Sequence, residues 1–170
     1  MAACLAGCAA AVKRGSADAA LPTLPASAAS RLVLNVGGPR SVVESSDWSG
    51  FKAEWQENFA TRAAAAGIPF AMQDGDAVPT GADGTLLVVD VRDYRFLRPG
   101  TRYLGGVMTG NAYIESTLTY RDLKTGRTWG AQSANTSSSA WEGVFSAMTN
   151  KQVEAIAADV VQQLKSGAAK

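Results

Sequence analysis

The segment Gly84–Trp129 constrains the fold most, because it reads as a series of β-strands separated by turns. Thr85–Tyr94 contains a near-continuous apolar run, which is typical of a strand covered on both faces. Asn111–Arg121 alternates between apolar and polar residues, as a strand with one buried face does. Asp122–Gly126 has the composition of a hairpin turn and leads into a return strand, Arg127–Ala134. These patterns predict a mainly antiparallel sheet.

Two helices are predicted, one on each side of this segment. Asp47–Ala66 carries an aromatic stripe at helical spacing, formed by Trp48, Phe51, Trp55 and Phe59. The stripe could hold a ligand, but packing against the sheet is the favoured interpretation. Asn150–Ser166 is the second helix, and short strands are predicted over Arg31–Val36 and Ile68–Met72. The fold class is therefore α+β: a two-layer sandwich of two helices on a largely antiparallel sheet, with a mixed sheet left open.

The N-terminus carries a short motif, Leu5-Ala6-Gly7-Cys8, that resembles the lipobox of bacterial lipoproteins. The resemblance implies that Cys8 is lipidated after signal cleavage and anchors the protein to a membrane. Ala9 follows the cysteine, and by analogy with lipoprotein sorting this favours the outer membrane with the domain facing the periplasm. The alternative is an ordinary Ala-rich N-terminus.

Three regions follow from this interpretation. Residues 1–8 are a signal sequence and lipobox that we expect to be truncated, with the true start further upstream, because a signal needs a basic segment and an apolar stretch before the cleavage site. Residues 9–30 are rich in Ala, Ser and Pro and predict a disordered tether. Such a tether would let the domain stand off the bilayer by roughly 25 Å. Residues 31–167 form a single α/β domain.

A second resemblance rests on the segment Arg98–Gly110 together with the Asp122-x-x-Thr-Gly126 turn. A glycine-rich stretch before such a hairpin, and a C-terminal helix after it, resemble the bacterial lipoproteins of domain of unknown function 4410. The resemblance covers about Thr85–Leu164. It implies an envelope location and an α/β sandwich, and it brings no catalytic residues.

Several classes of chemistry lack their usual residues. The chain has no histidine, and its two cysteines are Cys4 and Cys8, outside the predicted domain. The acidic loop with Asp74, Asp76 and Asp83 lacks the glycine and glutamate of an EF-hand, so we expect no metal and no cofactor. A net charge of +1 gives no reason to expect nucleic-acid binding. No apolar run reaches the roughly 18 residues of a transmembrane helix.

The best candidate for partner binding is a surface rich in arginine and glycine. Between Gly84 and Ala134, seven basic residues outnumber four acidic ones by three, and arginine suits phosphate and carboxylate groups. The glycines permit a bulge or a close backbone approach. The alternative is a solvated sheet edge. The predicted surface consists of Arg95, Arg98, Arg102, Tyr103, Gly105, Gly106, Gly110 and Trp141.

The sequence therefore predicts a non-catalytic envelope lipoprotein that presents its domain to an envelope protein, peptidoglycan or anionic lipid. The alternative is a small-ligand-binding or enzymatic periplasmic domain, with its site between the sheet and the helices. Paired carboxylates are the remaining candidates for catalysis. Asp90 and Asp93 are predicted to point to opposite faces of their strand unless a bulge intervenes.

Overall fold

The computed structural model describes the backbone of residues 12–14, 22–95, 113–137 and 148–168, and the side chains of residues 22–95, 113–135 and 150–167. A short 3₁₀ helix, Ala26–Ala29, lies between the first two strands. The strands and helices are β1 (Val12–Arg14), β2 (Leu32–Gly37), α1 (Arg40–Val43), α2 (Trp48–Ala65), β3 (Phe70–Gln73), β4 (Thr85–Arg95), β5 (Tyr113–Asp122), β6 (Thr128–Ser137) and α3 (Met148–Ala168).

The six strands form one sheet in the order β1-β6-β5-β4-β2-β3. β2 pairs in parallel with both β3 and β4, whereas the β4–β5, β5–β6 and β6–β1 pairs are antiparallel. The sheet is therefore mixed and mostly antiparallel, and α2 and α3 pack on it. This confirms the predicted α+β class.

One core fills the space between the sheet and the helices. The aromatic stripe of α2 faces the sheet, since Phe51, Trp55 and Phe59 are fully buried, and this confirms the packing interpretation of the stripe. α3 contributes the apolar face that its helical period predicted. The buried partners on the sheet are Leu32, Leu34, Val36, Leu87, Val89, Val91, Ile114, Leu118 and Tyr120. Each large buried side chain contributes about 1.5–3 kcal/mol relative to an exposed one.

The helices α2 and α3 run in the same direction. Asn150 Nδ2 donates to Glu54 Oε2 over 2.7 Å, and further along both helices Arg62 forms an ion pair with Glu154. Both helices therefore begin at one end of the sheet. We call this the upper end: there β2, β4 and β6 finish and β5 begins. The lower end is the opposite one, where the hairpin between β5 and β6 lies.

The N-terminal part of the chain differs from the disordered tether that was predicted over residues 9–30. Val12–Arg14 forms a strand on β6, and the segment 22–30 packs across the lower end. Leu24 and Ala28 are buried in the core, and the backbone oxygen of Ala28 accepts a hydrogen bond from Thr85 Oγ1 over 2.8 Å. These parts of 9–30 are thus not a disordered tether, because their apolar side chains close the core. Residues 9–11 and 15–21 lie outside the described residues.

The outer face of the sheet carries a small second cluster. Val33, Leu86 and Leu123 are buried there, and Ala77 from the loop after β3 packs on them. Closer to the upper end, outward residues such as Asp90 and Glu115 are exposed. In the described part of the chain, no helix is both long enough and apolar enough to cross a membrane.

Candidate interaction surface

Arg95 is the member of the predicted surface that the structure describes. It is the last residue of β4, at the upper end, where it pairs in register with Tyr113 and is exposed. The other predicted residues, and Cys8, lie outside the described residues: Arg98, Arg102, Tyr103, Gly105, Gly106, Gly110 and Trp141. In the sequence, the residues from Arg98 to Gly110 follow β4 and Trp141 follows β6, and both of these strands end at the upper end.

A β-bulge at Arg92 changes the arrangement of carboxylates near this end. Val91 pairs with Ser116 and Asp93 pairs with Glu115, so Arg92 has no counterpart on β5. An extra residue reverses the alternation of side chains, which places Asp90 and Asp93 on the same outer face. The expectation that they face opposite sides is therefore wrong for this strand, because it held only without a bulge.

The carboxylate of Asp93 is already engaged by its neighbours. Its Oδ1 accepts from the backbone N–H of Tyr94 over 2.8 Å, and its Oδ2 accepts from the Tyr113 hydroxyl over 2.9 Å. The bond to Asp93 raises the pKa of the Tyr113 hydroxyl. Among the described residues, no three Asp, Glu, Cys or His side chains come together as a metal site. The geometry ties β4 to β5 and leaves Asp93 as a hydrogen-bond acceptor.

Tyr94 joins the upper end of β4 to the start of α2. Its hydroxyl donates to Asp47 Oδ1 over 2.6 Å, and its oxygen lies 2.6 Å from Ser45 Oγ. Its ring stacks on Phe51 with centroids 4.1 Å apart, and Trp48 lies 6.0 Å away. Burial, followed by the bond to Asp47, raises the pKa of Tyr94 to about 12. Sequence reasoning missed this cluster, since the bulge decides which face Tyr94 occupies.

A concave feature lies at the lower end, on the outer side of the helical layer. It is a groove of about 490 Å³ between the C-terminal halves of α2 and α3. Ala65, Ala66, Ala158 and Val161 form its apolar lining, and its polar lining residues are Arg62, Gln162, Lys165 and Ser166. The groove is open and does not enter the space between sheet and helices. Phe51, Trp55 and Phe59 fill that space in the described part of the molecule.

Comparison with known proteins defines a fold class and no family. No family model matches the chain, and no curated protein does. The resemblance to domain of unknown function 4410 therefore stays a prediction.

Among solved structures, the chain is similar to the PelC dodecamer from Paraburkholderia phytofirmans. The two share 15% sequence identity over 91% of this chain and 96% of PelC, with a TM-score of 0.53. A PelC variant in another crystal form gives 13% identity, 91% and 95% coverage and a TM-score of 0.51. Such identities show a common fold and nothing further about activity or partners.

A weaker similarity is found to protein XCC0632 from Xanthomonas campestris, of the family described as DUF330. Identity is 12%, coverage is 83% of this chain and 86% of the other, and the TM-score is 0.47. This value is too low to carry an argument.

Proposed function

We propose that the chain is a non-catalytic lipoprotein of a bacterial cell envelope, anchored through Cys8 and presenting its domain in the periplasm. The observation that carries this proposal is the Leu5-Ala6-Gly7-Cys8 motif ahead of a single folded domain. Ala9 after the cysteine favours the outer membrane. Two or more acyl chains give stable anchoring, because each buried CH₂ contributes about 0.8 kcal/mol.

The described interior supports binding at the surface over binding in a buried pocket. The alternative function needs a polar-lined site between the sheet and the helices. That space is occupied by packed apolar and aromatic side chains, and Trp55 at its centre is fully buried. A ligand of ordinary size would have to displace this core. We therefore propose that the partner, an envelope protein or the cell wall, meets the domain from outside.

The surface proposed for this partner is the predicted arginine- and glycine-rich one, of which Arg95 is the described member. Arginine guanidinium groups suit the carboxylates of peptidoglycan and the phosphates of anionic lipids. The similarity to PelC is consistent with this proposal, because it shows that a bacterial protein has this fold. It does not identify the partner.

The test is cell fractionation with mass spectrometry of the N-terminus, using the full natural reading frame. We expect an acylated Cys8 and a membrane-bound protein. The Cys8→Ser variant should move to the soluble fraction as a folded domain, because the buried core residues that the structure describes do not include Cys8. Cys4→Ser is the matched control and should stay in the membrane. An unmodified N-terminus on a cytosolic protein would refute the proposal.

A further inference from the structure

The strand β1 limits how far Cys8 can lie from the upper end of the sheet. Val12 pairs with Thr136, the penultimate residue of β6, at the upper end of the sheet. Three residues, 9–11, separate Cys8 from Val12. A chain spans at most about 3.6 Å per residue, so the Cα atom of Cys8 lies within about 14 Å of that of Val12 in any conformation. A disordered tether of 22 residues would allow a much wider range.

The two ends of the sheet are far apart on this scale. β6 has 10 residues, Thr128–Ser137. At about 3.4 Å per residue it is roughly 30 Å long, and the hairpin from Asp122 to Arg127 lies at its lower end. The chain before β1 is thus too short for Cys8 to reach the lower end.

We propose that β1 sets the orientation of the domain on the membrane. The bilayer surface faces the upper end, where Arg95 and the start of α2 lie, and the lower end with the α2–α3 groove points away from the bilayer. This inference rests on the proposed acylation of Cys8. It depends on the length of chain before β1 and not on charge, since exposed groups of both signs, such as Arg95 and Glu115, lie near the upper end.

The experiment compares two labelled positions in the acylated protein bound to lipid vesicles. After processing and acylation no other free thiol remains, so Arg95→Cys and Thr125→Cys each carry a single spin label at an exposed position. Paramagnetic ions attached to lipid headgroups should relax the label at residue 95 several-fold more strongly than the label at residue 125. Equal relaxation at the two positions, in protein shown by mass spectrometry to be acylated, would overturn the orientation and leave the lipoprotein proposal intact.

A longer tether provides the matched control. Inserting about 12 Gly and Ser residues after Ala11 keeps Cys8 and β1 but adds a flexible segment of roughly 20 Å. The difference between the two labels should then largely disappear. If it persists, the length of chain before β1 does not set the orientation, and the inference is wrong. Absence of an acyl group on Cys8 would instead refute the proposed function, and the orientation with it.

Discussion

At the residue scale, Tyr94 shows how one hydroxyl connects two layers of the fold. It donates to Asp47 at the N-cap position of α2, and the Asp47 side chain makes no capping bond of its own. The ring stacks on Phe51 independently of the hydroxyl. The hydrogen bond and the ring contact can therefore be separated by a single substitution.

We predict that Tyr94→Phe lowers the free energy of unfolding by about 1–2 kcal/mol, because Asp47 loses its donor while the ring contact remains. Urea unfolding at neutral pH measures the loss. Tyr113→Phe is the control: this hydroxyl also donates to a carboxylate, but closer to solvent, so a loss under about 0.5 kcal/mol is expected. Equal losses for the two variants would contradict the role given to Tyr94.

The same variant tests the pH dependence of stability. Folding raises the pKa of Tyr94 from 10.0 to about 12. The folded state thus holds this proton more tightly than the unfolded state does, and the contribution is complete below pH 10. As pH rises from about 10 to about 12 the contribution is lost. The wild-type protein should lose more stability over this interval than Tyr94→Phe does.

Sequence patterns predict some residue positions and not others. The burial of Phe51, Trp55 and Phe59 follows from their spacing, because one helix face must cover the sheet. The side of the sheet on which Asp93 lies does not follow from the sequence pattern. A bulge at Arg92 shifts the alternation of side chains, and the local composition does not reveal it. The predicted surface was found from composition, and the structure describes it through Arg95 alone.

At the element scale, the long periodic segments and the short strands β2 and β3 were predicted to within a few residues, whereas β1, α1 and the 3₁₀ helix were missed. β4, β5, β6, α2 and α3 each have enough residues to show a period of 2 or 3.6. β1 has three residues and the 3₁₀ helix four, which is too few to show a period. Both lie in an Ala/Ser/Pro-rich stretch whose composition is also typical of linkers, so only tertiary contacts distinguish them.

We predict that the N-terminal segment is needed for full stability. A chain that begins at Arg31 loses the burial of Leu24, worth about 1.5–3 kcal/mol. It also leaves the buried Thr85 hydroxyl without its acceptor, the backbone oxygen of Ala28, which lowers the free energy of unfolding by about 1–3 kcal/mol more. Urea unfolding should show a loss of at least about 2 kcal/mol relative to a chain that begins at Pro22.

A chain that begins at Ala9 is the comparison for β1. It keeps both Leu24 and the strand, so any difference from the Pro22 chain reports the contribution of β1 itself. If the chain that begins at Arg31 is as stable as the other two, residues 22–30 do not belong to the domain and the predicted boundary at residue 31 is correct after all.

At the scale of the whole molecule, the core between sheet and helices is filled in the described part, so the candidate binding features lie at the two ends of the sandwich. The upper end collects the end of β4, the starts of α2 and α3, and the strand nearest Cys8. The lower end carries the groove between the helices. The sequence predicted the two layers. Which elements lie at the same end of the sheet could be seen only after the strand order was known.

We predict that reversing Arg98 and Arg102 to Glu weakens binding of the soluble Cys8→Ser domain to anionic vesicles or peptidoglycan by at least about tenfold. Each basic residue near an anionic surface contributes about 1 kcal/mol. Co-sedimentation gives the affinity, and the unfolding midpoint should not change. Lys124→Glu with Arg127→Glu, in the lower hairpin, is the matched control and should bind as the parent does. If the Arg98/Arg102 variant binds as well as the parent, the predicted surface is not the binding surface.

The parallel arrangement of α2 and α3 has an electrical consequence. In antiparallel neighbours the peptide dipoles cancel, but here they add. Each N-terminus carries about half a positive charge and each C-terminus about half a negative one. The helical layer therefore contributes a dipole along the axis that joins the two ends of the sheet, with its positive pole at the upper end, where β1 begins. If Cys8 is acylated as proposed, the helix dipoles would favour the same orientation on a negatively charged bilayer as the short chain before β1 does.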